Sequence, residues 1–134
     1  MYQGQCLCGA VKIVTSQPID KISVCHCNSC QRWNGSPSFT LDCKEDVIIE
    51  GENSVTRFAS SQWDERAFCQ RCGTHLFYHF HSPSSYYVSA ALFAESRHAN
   101  LAMQIFVDSK PNYYYFIEII PMLTEQDMIK LMNK

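Results

Sequence analysis

Apolar and polar residues alternate through many short runs of the chain, and this alternation is typical of half-buried β-strands. The runs are rich in Val, Ile, Phe, Tyr and Thr, which strands favour. Clusters of Gly, Pro, Asn, Asp and Ser separate them at a spacing typical of a mostly antiparallel domain. The predicted strands lie within AVKIVT, SFTLDC, DVIIEG, SVTRFA, ERAFC, THLFYHF, YYVSAALF, MQIFVD and YYYFIEII. We therefore expect a mainly β fold.

Two segments have helical features instead. The segment NSCQRWNG is predicted to be a turn or short helix, and Gly35 closes it. Near the C-terminus, Thr124 opens the segment TEQDMIKLMNK, whose methionines and leucine share one helical face. A threonine at that position is typical of an N-cap. Both segments are too short to form a helical layer, so we expect short helical turns and a C-terminal helix beside the sheets.

The composition narrows the class of protein. A chain of 134 residues with 46% hydrophobic and 18% charged positions is typical of one globular domain, spanning 1–134. Its net charge of -2, with scattered lysines and arginines, provides no basic face for nucleic acid. The apolar runs are shorter than the ~20 residues that span a bilayer, and the N-terminus lacks signal-peptide features. We expect a soluble cytoplasmic protein without nucleic acid or membrane partners.

Eight cysteines carry the clearest chemical signal. A reducing compartment keeps thiols free, so metal binding or catalysis is favoured over a disulfide framework. Seven of the eight fall into the motifs CxC, CxCxxC and CxxC, and each motif can direct its thiolates at one metal ion. The remaining one, Cys43, has no partner at metal spacing and is predicted to be a small buried core residue.

The motifs combine in two ways. In the first, CxxC joins CxC in a saturated structural zinc site, which leaves CxCxxC with three thiolates and an open fourth position, as in catalytic zinc sites. In the second, two CxxC elements form a ribbon-like site, but the gap from Cys30 to Cys69 exceeds the ~15–20 residues typical of such ribbons. The second also divides a compact triad, so spacing favours the first. The first defines a four-cysteine group, Cys6, Cys8, Cys69 and Cys72, and a three-cysteine group, Cys25, Cys27 and Cys30.

An open site of three thiolates suits a particular kind of chemistry. Zinc held there leaves one net negative charge on the site, so it is a weaker Lewis acid than zinc held by neutral histidines. It still binds a thiol as the thiolate, because coordination deprotonates a group whose free pKa is ~8.5. A thiolate within ~3.5 Å of a small aldehyde attacks it, giving for example an S-hydroxymethyl adduct. The reverse reaction breaks a carbon–sulfur bond, so the pattern predicts a carbon–sulfur lyase or synthase.

Four strings, GQCLCGAV, CHCNSCQRWNGS, FCQRCGTHLF and IFVDSKPNYYYF, resemble the glutathione-dependent formaldehyde-activating enzyme family, which also includes centromere protein V. The resemblance extends from about Gly4 to about Pro121. It implies a β-tent of several small twisted antiparallel sheets tied by zinc. It also implies two zinc ions per chain, a structural one in the four-cysteine group and a catalytic one in the three-cysteine group. Gln31 departs from the pattern, since many members carry a basic residue there.

The resemblance also implies an activity similar to S-(hydroxymethyl)glutathione synthase. The partners would be glutathione or a related thiol, together with formaldehyde or another small aldehyde. The alternative is a non-catalytic zinc-binding interaction module of the same fold, since centromere protein V shows that the family is not used only for small molecules. The basic segments of a chromatin role are missing here. The sequence leaves open whether the chain forms a homodimer.

Three polar residues near the motifs are candidates to donate a proton or orient a ligand at the open site: His26, Arg32 and His75. His26 lies between two proposed ligands, so on a strand its side chain is predicted to face away from them. His75 follows the CxxC motif, from which its side chain could orient a metal ligand.

Two further pairs of residues have less specific patterns. Arg66 and Arg71 flank the CxxC motif and would either offset its negative charge or reach the carboxylates of a glutathione-like thiol. His79 and His81 share a strand face, but without a third ligand nearby in the sequence they do not predict a metal site.

Overall fold

Eleven strands and two α-helices form the fold in the computed structural model, which describes residues 1–133. The strands are β1 Tyr2–Gln5, β2 Lys12–Thr15, β3 Lys21–Cys25, β4 Ser38–Asp42, β5 Ile48–Glu50, β6 Val55–Phe58, β7 Asp64–Cys69, β8 His75–His81, β9 Ser84–Ser89, β10 Asn100–Ile105 and β11 Met122–Leu123. The helices are α1 Asn28–Asn34 and α2 Glu125–Met132. Short 3₁₀ turns cover Glu52–Ser54, Ala90–Leu92, Ala94–His98 and Val107–Ser109. The predicted mainly β class with a C-terminal helix is confirmed.

The strands form one small and one large sheet. The small sheet is antiparallel in the order β1-β2-β5, and the large sheet has the order β11-β10-β3-β4-β9-β8-β7-β6. All pairs in the large sheet are antiparallel except those of β10, which runs parallel to β3 and β11. Most strand pairs therefore have the predicted antiparallel direction, although one of the sheets is larger than the family resemblance implied.

The run YYYFIEII was predicted to be a strand, and this prediction is wrong. The chain there is irregular and pairs with no strand of the described residues. Tyr113, Tyr115 and Ile117 are exposed, whereas Tyr114 and Phe116 are half-buried. The alternation is real, but it arises because one side of an extended segment packs on the domain. Three strands, β1, β3 and β11, were not predicted. The sequences of β1 and β11 have little alternation, whereas KISVC of β3 does alternate but is only five residues long.

The structure confirms the predicted end of α1 at Gly35 and the predicted start of α2 at Thr124. The Cys27 side chain caps α1 by accepting a hydrogen bond from the Cys30 N–H, and Gly35 ends the helix with a φ of 71°. Thr124 caps α2 in a reciprocal capping box with Asp127. The predicted helical segment extends to Lys134, which lies outside the described residues.

The core lies between the two sheets and contains side chains from both. Val11 and Ile13 come from the small-sheet side, and Leu41, Leu76 and Val88 come from the large sheet. The unpaired Cys43 is fully buried there, as predicted. None of the helices within residues 1–133 is long and apolar enough to cross a membrane.

One glycine allows a close backbone approach beside this core. Gly51 has a φ of 85°, and a Cβ at this position would lie 2.0 Å from the carbonyl oxygen of Ala10. Ala10 belongs to the loop that joins β1 to β2 and carries Cys6 and Cys8. A larger residue at position 51 would therefore push on that loop.

Candidate metal centres

The structure brings the four-cysteine group together at the junction of the two sheets. All four sulfur atoms lie within 4.8 Å of one another. Cys6 follows β1 of the small sheet, and Cys69 ends β7 of the large sheet. The Cys6–Cys8 and Cys8–Cys69 sulfur distances are 3.7 and 3.8 Å. Four thiolates around zinc at ~2.3 Å in a tetrahedron are about 3.8 Å apart, so this group fits such an ion.

Two tight turns give the four-cysteine group its shape. After Cys69 the chain turns through Gly73, whose φ of 79° places its N–H 2.7 Å from the Cys69 carbonyl oxygen. Thr74 joins the two turns, because its hydroxyl accepts a hydrogen bond from the Leu7 N–H at 3.1 Å. The same hydroxyl lies 3.1 Å from the Cys72 sulfur, and its hydrogen bond lowers the pKa of that thiol to about 5. A thiolate at Cys72 is therefore favoured by the turn itself.

The three-cysteine group is built from one short stretch of chain. Cys25 ends β3, Cys27 caps α1, and Cys30 lies in the first turn of that helix. Their sulfur atoms lie within 4.8 Å of one another, and among the residues described no fourth Cys, His, Asp or Glu belongs to the cluster. Three thiols at this separation fit zinc with an open fourth position.

Hydrogen bonds inside this group favour a thiolate at Cys27. The thiols of Cys25 and Cys30, together with the Cys30 N–H, lower the pKa of Cys27 to about 2 despite its burial. The N–H contributes through the helix cap, at 3.3 Å from the sulfur. The local fold thus stabilises negative charge where a metal ligand needs it.

Arg66 lies beside the three-cysteine group and not only beside the CxxC motif that it precedes in sequence. Its Nη1 donates to the Cys30 sulfur at 3.6 Å, and the residue is 6% exposed. Burial lowers the pKa of the guanidinium, but its interaction with the Cys30 sulfur raises this pKa above its usual value. Arg66 also lines a cavity of about 10 Å³, which has room for about one water molecule. Arg71, by contrast, is exposed.

The histidines predicted near the open site have different surroundings. His75 lines the same cavity as Arg66, and its Nδ1 donates to the Asn34 Oδ1 at 2.7 Å. Its ring stacks on Trp33 with centroids 4.8 Å apart, and burial lowers its pKa, so it is neutral. Arg32 is exposed in the last turn of α1.

His26 is fully buried and belongs to a chain of hydrogen bonds. Its Nε2 donates to the Gln104 Oε1 at 2.8 Å, because an amide oxygen can only accept. Its Nδ1 therefore accepts from the Tyr114 hydroxyl at 2.7 Å, and that hydroxyl accepts from the Gln31 Nε2. Burial lowers the pKa of His26, which keeps the ring neutral. The structure thus gives His26 a positioning contact with the segment that follows β10.

Sequence reasoning missed Gln31 and Tyr114 as neighbours of the site. Gln31 directly follows Cys30, and the sequence marks it only as lacking the basic side chain of the family pattern. Its Oε1 is buried without a hydrogen-bond partner, as is the Nε of Arg66. Tyr114 was assigned to a strand, although the inward half of its alternating run did mark it as packed against the domain.

Comparisons with known proteins agree with the cysteine pattern. Residues 1–109 match the family model described as glutathione-dependent formaldehyde-activating enzyme. The chain is 32% identical over 136 residues to an uncharacterized lyase of Schizosaccharomyces pombe, which covers 99% of this chain and 98% of that protein. The fold of the present chain is similar to a crystal structure of a Rhodobacter sphaeroides protein, with a TM-score of 0.58 and 23% identity. This similarity covers 69% of the present chain and 87% of the Rhodobacter sphaeroides chain.

These comparisons confirm the resemblance stated from the motifs. The matched residues contain both cysteine groups, and the similarity to the yeast protein extends over nearly the whole chain. The chain therefore belongs to the glutathione-dependent formaldehyde-activating enzyme family.

Proposed function

We propose that the protein is a zinc-dependent carbon–sulfur lyase or synthase that acts on the adduct of a thiol and a small aldehyde, with glutathione and formaldehyde as the substrate pair. The observation that carries the proposal is the convergence of three thiols without a fourth protein ligand among residues 1–133. The four-cysteine group has its full ligand set, so we assign it a structural zinc ion and the three-cysteine group a catalytic one.

Two unsatisfied polar atoms beside the three-cysteine group support a ligand there. Gln31 Oε1 and Arg66 Nε are the buried side-chain atoms that lack a hydrogen-bond partner in the part of the chain that is described. Leaving such an atom unpaired costs about 1–3 kcal/mol, and more when it is charged. Gln31 directly follows Cys30, and Arg66 contacts the Cys30 sulfur. An amide oxygen accepts hydrogen bonds and a guanidinium donates them, so each atom suits one part of a peptide-like thiol, its N–H groups or its carboxylates.

The proposed reaction requires a stabilised thiolate and a proton carrier. Zinc held by the three-cysteine group would bind the substrate thiol as a thiolate and keep it as the nucleophile. Arg66 offsets the added negative charge, since its guanidinium contacts Cys30. The carbon–sulfur bond forms as the carbonyl π bond opens, and the aldehyde oxygen then takes the proton that the thiol lost.

His75 is the residue we assign to this proton. Its Nδ1–H is held by Asn34, so its Nε2 carries a lone pair, and the ring is neutral because burial lowers its pKa. A neutral imidazole takes a proton and returns it near pH 7, which is the task of a general acid–base group. The small cavity beside the ring limits the water that competes for that proton.

The proposal also places the protein in the cytoplasm. All eight cysteines are free thiols, and a reducing compartment keeps them so.

The direct test measures exchange between formaldehyde and its glutathione adduct, since the uncatalysed addition also occurs. NMR exchange spectroscopy with ¹³C-formaldehyde and glutathione is expected to show faster exchange with the protein than with buffer. Cys27→Ser should abolish the acceleration, whereas Cys43→Ala, which removes a thiol outside both groups, should keep it. If neither the unmodified protein nor Cys43→Ala accelerated the exchange, this substrate pair would be excluded and a zinc-binding interaction module would be favoured.

A further inference from the structure

The sheet register places a carboxylate beside two histidines at the β7–β8 hairpin. Glu65 on β7 lies directly opposite His79 on β8, and His81 follows two positions later on the same face. The Glu65 Oε1 lies 3.2 Å from His79 Nδ1 and 3.9 Å from His81 Nε2. One ligating atom from each of the three residues falls within 4.8 Å of the others. The third ligand that the histidine pair lacks in the sequence is thus supplied by the neighbouring strand.

The His79 ring is held in the orientation of a ligand. Its Nε2 lies 2.8 Å from the Ser84 hydroxyl, and its face stacks on Tyr86 with centroids 4.0 Å apart and planes at 5°. When Nε2–H donates to Ser84, the lone pair of Nδ1 points at the carboxylate of Glu65. Without a metal, Nδ1–H donates to the Glu65 Oε1 at 3.2 Å and Nε2 accepts from the Ser84 hydroxyl. A metal ion that replaces the Nδ1 proton binds the same nitrogen and carboxylate, and Nε2–H then donates to Ser84. Metal-binding histidines typically have their second nitrogen fixed by such a partner.

Arg57 is the cation that now shares this carboxylate. Its Nη1 lies 3.2 Å from the Glu65 Oε1, while its Nη2 contacts Glu52 at 2.5 Å. Because Glu52 also holds the guanidinium, Arg57 keeps one ion pair when a metal takes Glu65. The competition makes this site weaker for metal than a cluster of thiolates.

The cluster is separate from the centre proposed to be catalytic. Glu65 and Arg66 are adjacent on β7, so their side chains point to opposite faces of the sheet. Arg66 points to the three-cysteine group and Glu65 away from it. His81 is exposed, which opens the cluster to solvent and gives a metal ion an entry path.

We propose that Glu65, His79 and His81 form a third metal site that takes a zinc-like divalent transition cation. Imidazole nitrogens suit Zn²⁺, Ni²⁺ and Cu²⁺ better than Mg²⁺ or Ca²⁺, and two histidines with one carboxylate leave coordination positions for water. The site would be filled and emptied as free zinc changes, while both cysteine groups keep their ions. It is independent of the substrate pair proposed above.

A zinc titration of the metal-loaded protein tests this site. Protein with zinc in both cysteine groups is first treated with the chelator nitrilotriacetate, which removes weakly held metal, and the chelator is then removed. The ring signals of the five histidines are followed by NMR as zinc chloride is added. We expect the signals of His79 and His81 to shift together and to saturate at one added equivalent.

Glu65→Gln and His81→Gln should each weaken this binding at least tenfold, and both keep a polar side chain of similar size. The matched control is His98→Gln, which changes an exposed histidine on a 3₁₀ turn and should leave the titration unchanged. Absence of a shift at His79 and His81, equal shifts at His98, or unchanged affinity in the Glu65 and His81 variants would each overturn the proposal.

Discussion

The two cysteine groups differ in how far apart their members lie along the chain. The four-cysteine group joins residues as much as 61 positions apart in direct sulfur contact and links the small sheet to the large one. The three-cysteine group lies within one strand end and one helical turn. A metal in the first group closes a long loop and so restricts the unfolded chain strongly, whereas a metal in the second closes almost none. This difference supports the proposed division, in which a metal stabilises the fold at the four-cysteine group and takes part in chemistry at the three-cysteine group.

The two cysteine groups also differ in how completely the ligands and polar groups around them are paired. The four-cysteine group is supported by backbone turns and the Thr74 hydroxyl, and its ligand set is complete. The three-cysteine group has a buried guanidinium, unpaired polar atoms and a small cavity at its side. A structural metal centre needs a full set of ligands and paired hydrogen-bonding groups. Where buried polar atoms are unpaired, they remain available to bind a ligand.

The largest expected effect is loss of the fold on Cys69→Ser. Structural zinc contributes about 10–16 kcal/mol of apparent binding in small zinc domains, which is as large as or larger than the total stability of about 5–15 kcal/mol of a typical domain. We expect insoluble protein or an unfolded circular dichroism spectrum, with less than one zinc ion per chain. A folded Cys69→Ser protein would contradict the structural role, and Cys43→Ala controls for removal of a buried thiol.

The next effect is loss of activity without loss of the fold on Cys27→Ser. Serine is a good N-cap, so its hydroxyl replaces the sulfur that accepts from the Cys30 N–H, and α1 is kept. We expect one zinc ion per chain instead of two, a cooperative melting transition, and at least about a 100-fold lower rate, which is ~2.7 kcal/mol of activation free energy. If Cys27→Ser and Cys69→Ser damaged the fold equally, the proposed division of roles would be wrong.

A pair of glycine substitutions compares the backbone around the two groups. Gly51→Ala brings a Cβ to 2.0 Å from the Ala10 oxygen, whereas Gly35→Ala meets nothing within 4 Å. Both substitutions place a Cβ on a residue with a left-handed backbone conformation, which costs about 1–2 kcal/mol. We therefore expect denaturant unfolding to show a larger loss for Gly51→Ala, by about 1–3 kcal/mol from overpacking. If both variants lost the same free energy of unfolding, the loop that carries Cys6 and Cys8 would have moved to accommodate the new Cβ at little cost.

The smallest effect concerns affinity for the thiol substrate. Arg66→Gln removes the cation beside Cys30, and hydrogen bonds to charged groups contribute about 1.5–3 kcal/mol. We expect KM for the thiol to rise at least about tenfold with a smaller change in kcat. Arg66→Lys, which keeps the charge, should recover part of the loss, and Arg71→Gln should have no effect because Arg71 is exposed. An unchanged KM would remove Arg66 from thiol binding.

Much of the fold could be predicted because it depends on local patterns. Alternation predicted β2 and β4 to β9, and the capping residues Thr124 and Gly35 marked helix boundaries that the structure confirms. The run around Tyr114 was assigned wrongly because alternation reports a buried side and not a hydrogen-bonded neighbour. Whether such a segment becomes a strand depends on a partner edge elsewhere in the chain.

The sequence by itself determined the mainly β class, the family and the division of seven cysteines into two groups, because motif spacing and chain order are local properties. Only the tertiary structure decided that Arg66 lies at the three-cysteine group, that Tyr114 contacts Gln31, and that Glu65 meets His79. These contacts join distant segments or neighbouring strands. Strand register and packing set them, and the spacing of residues along the chain does not specify either.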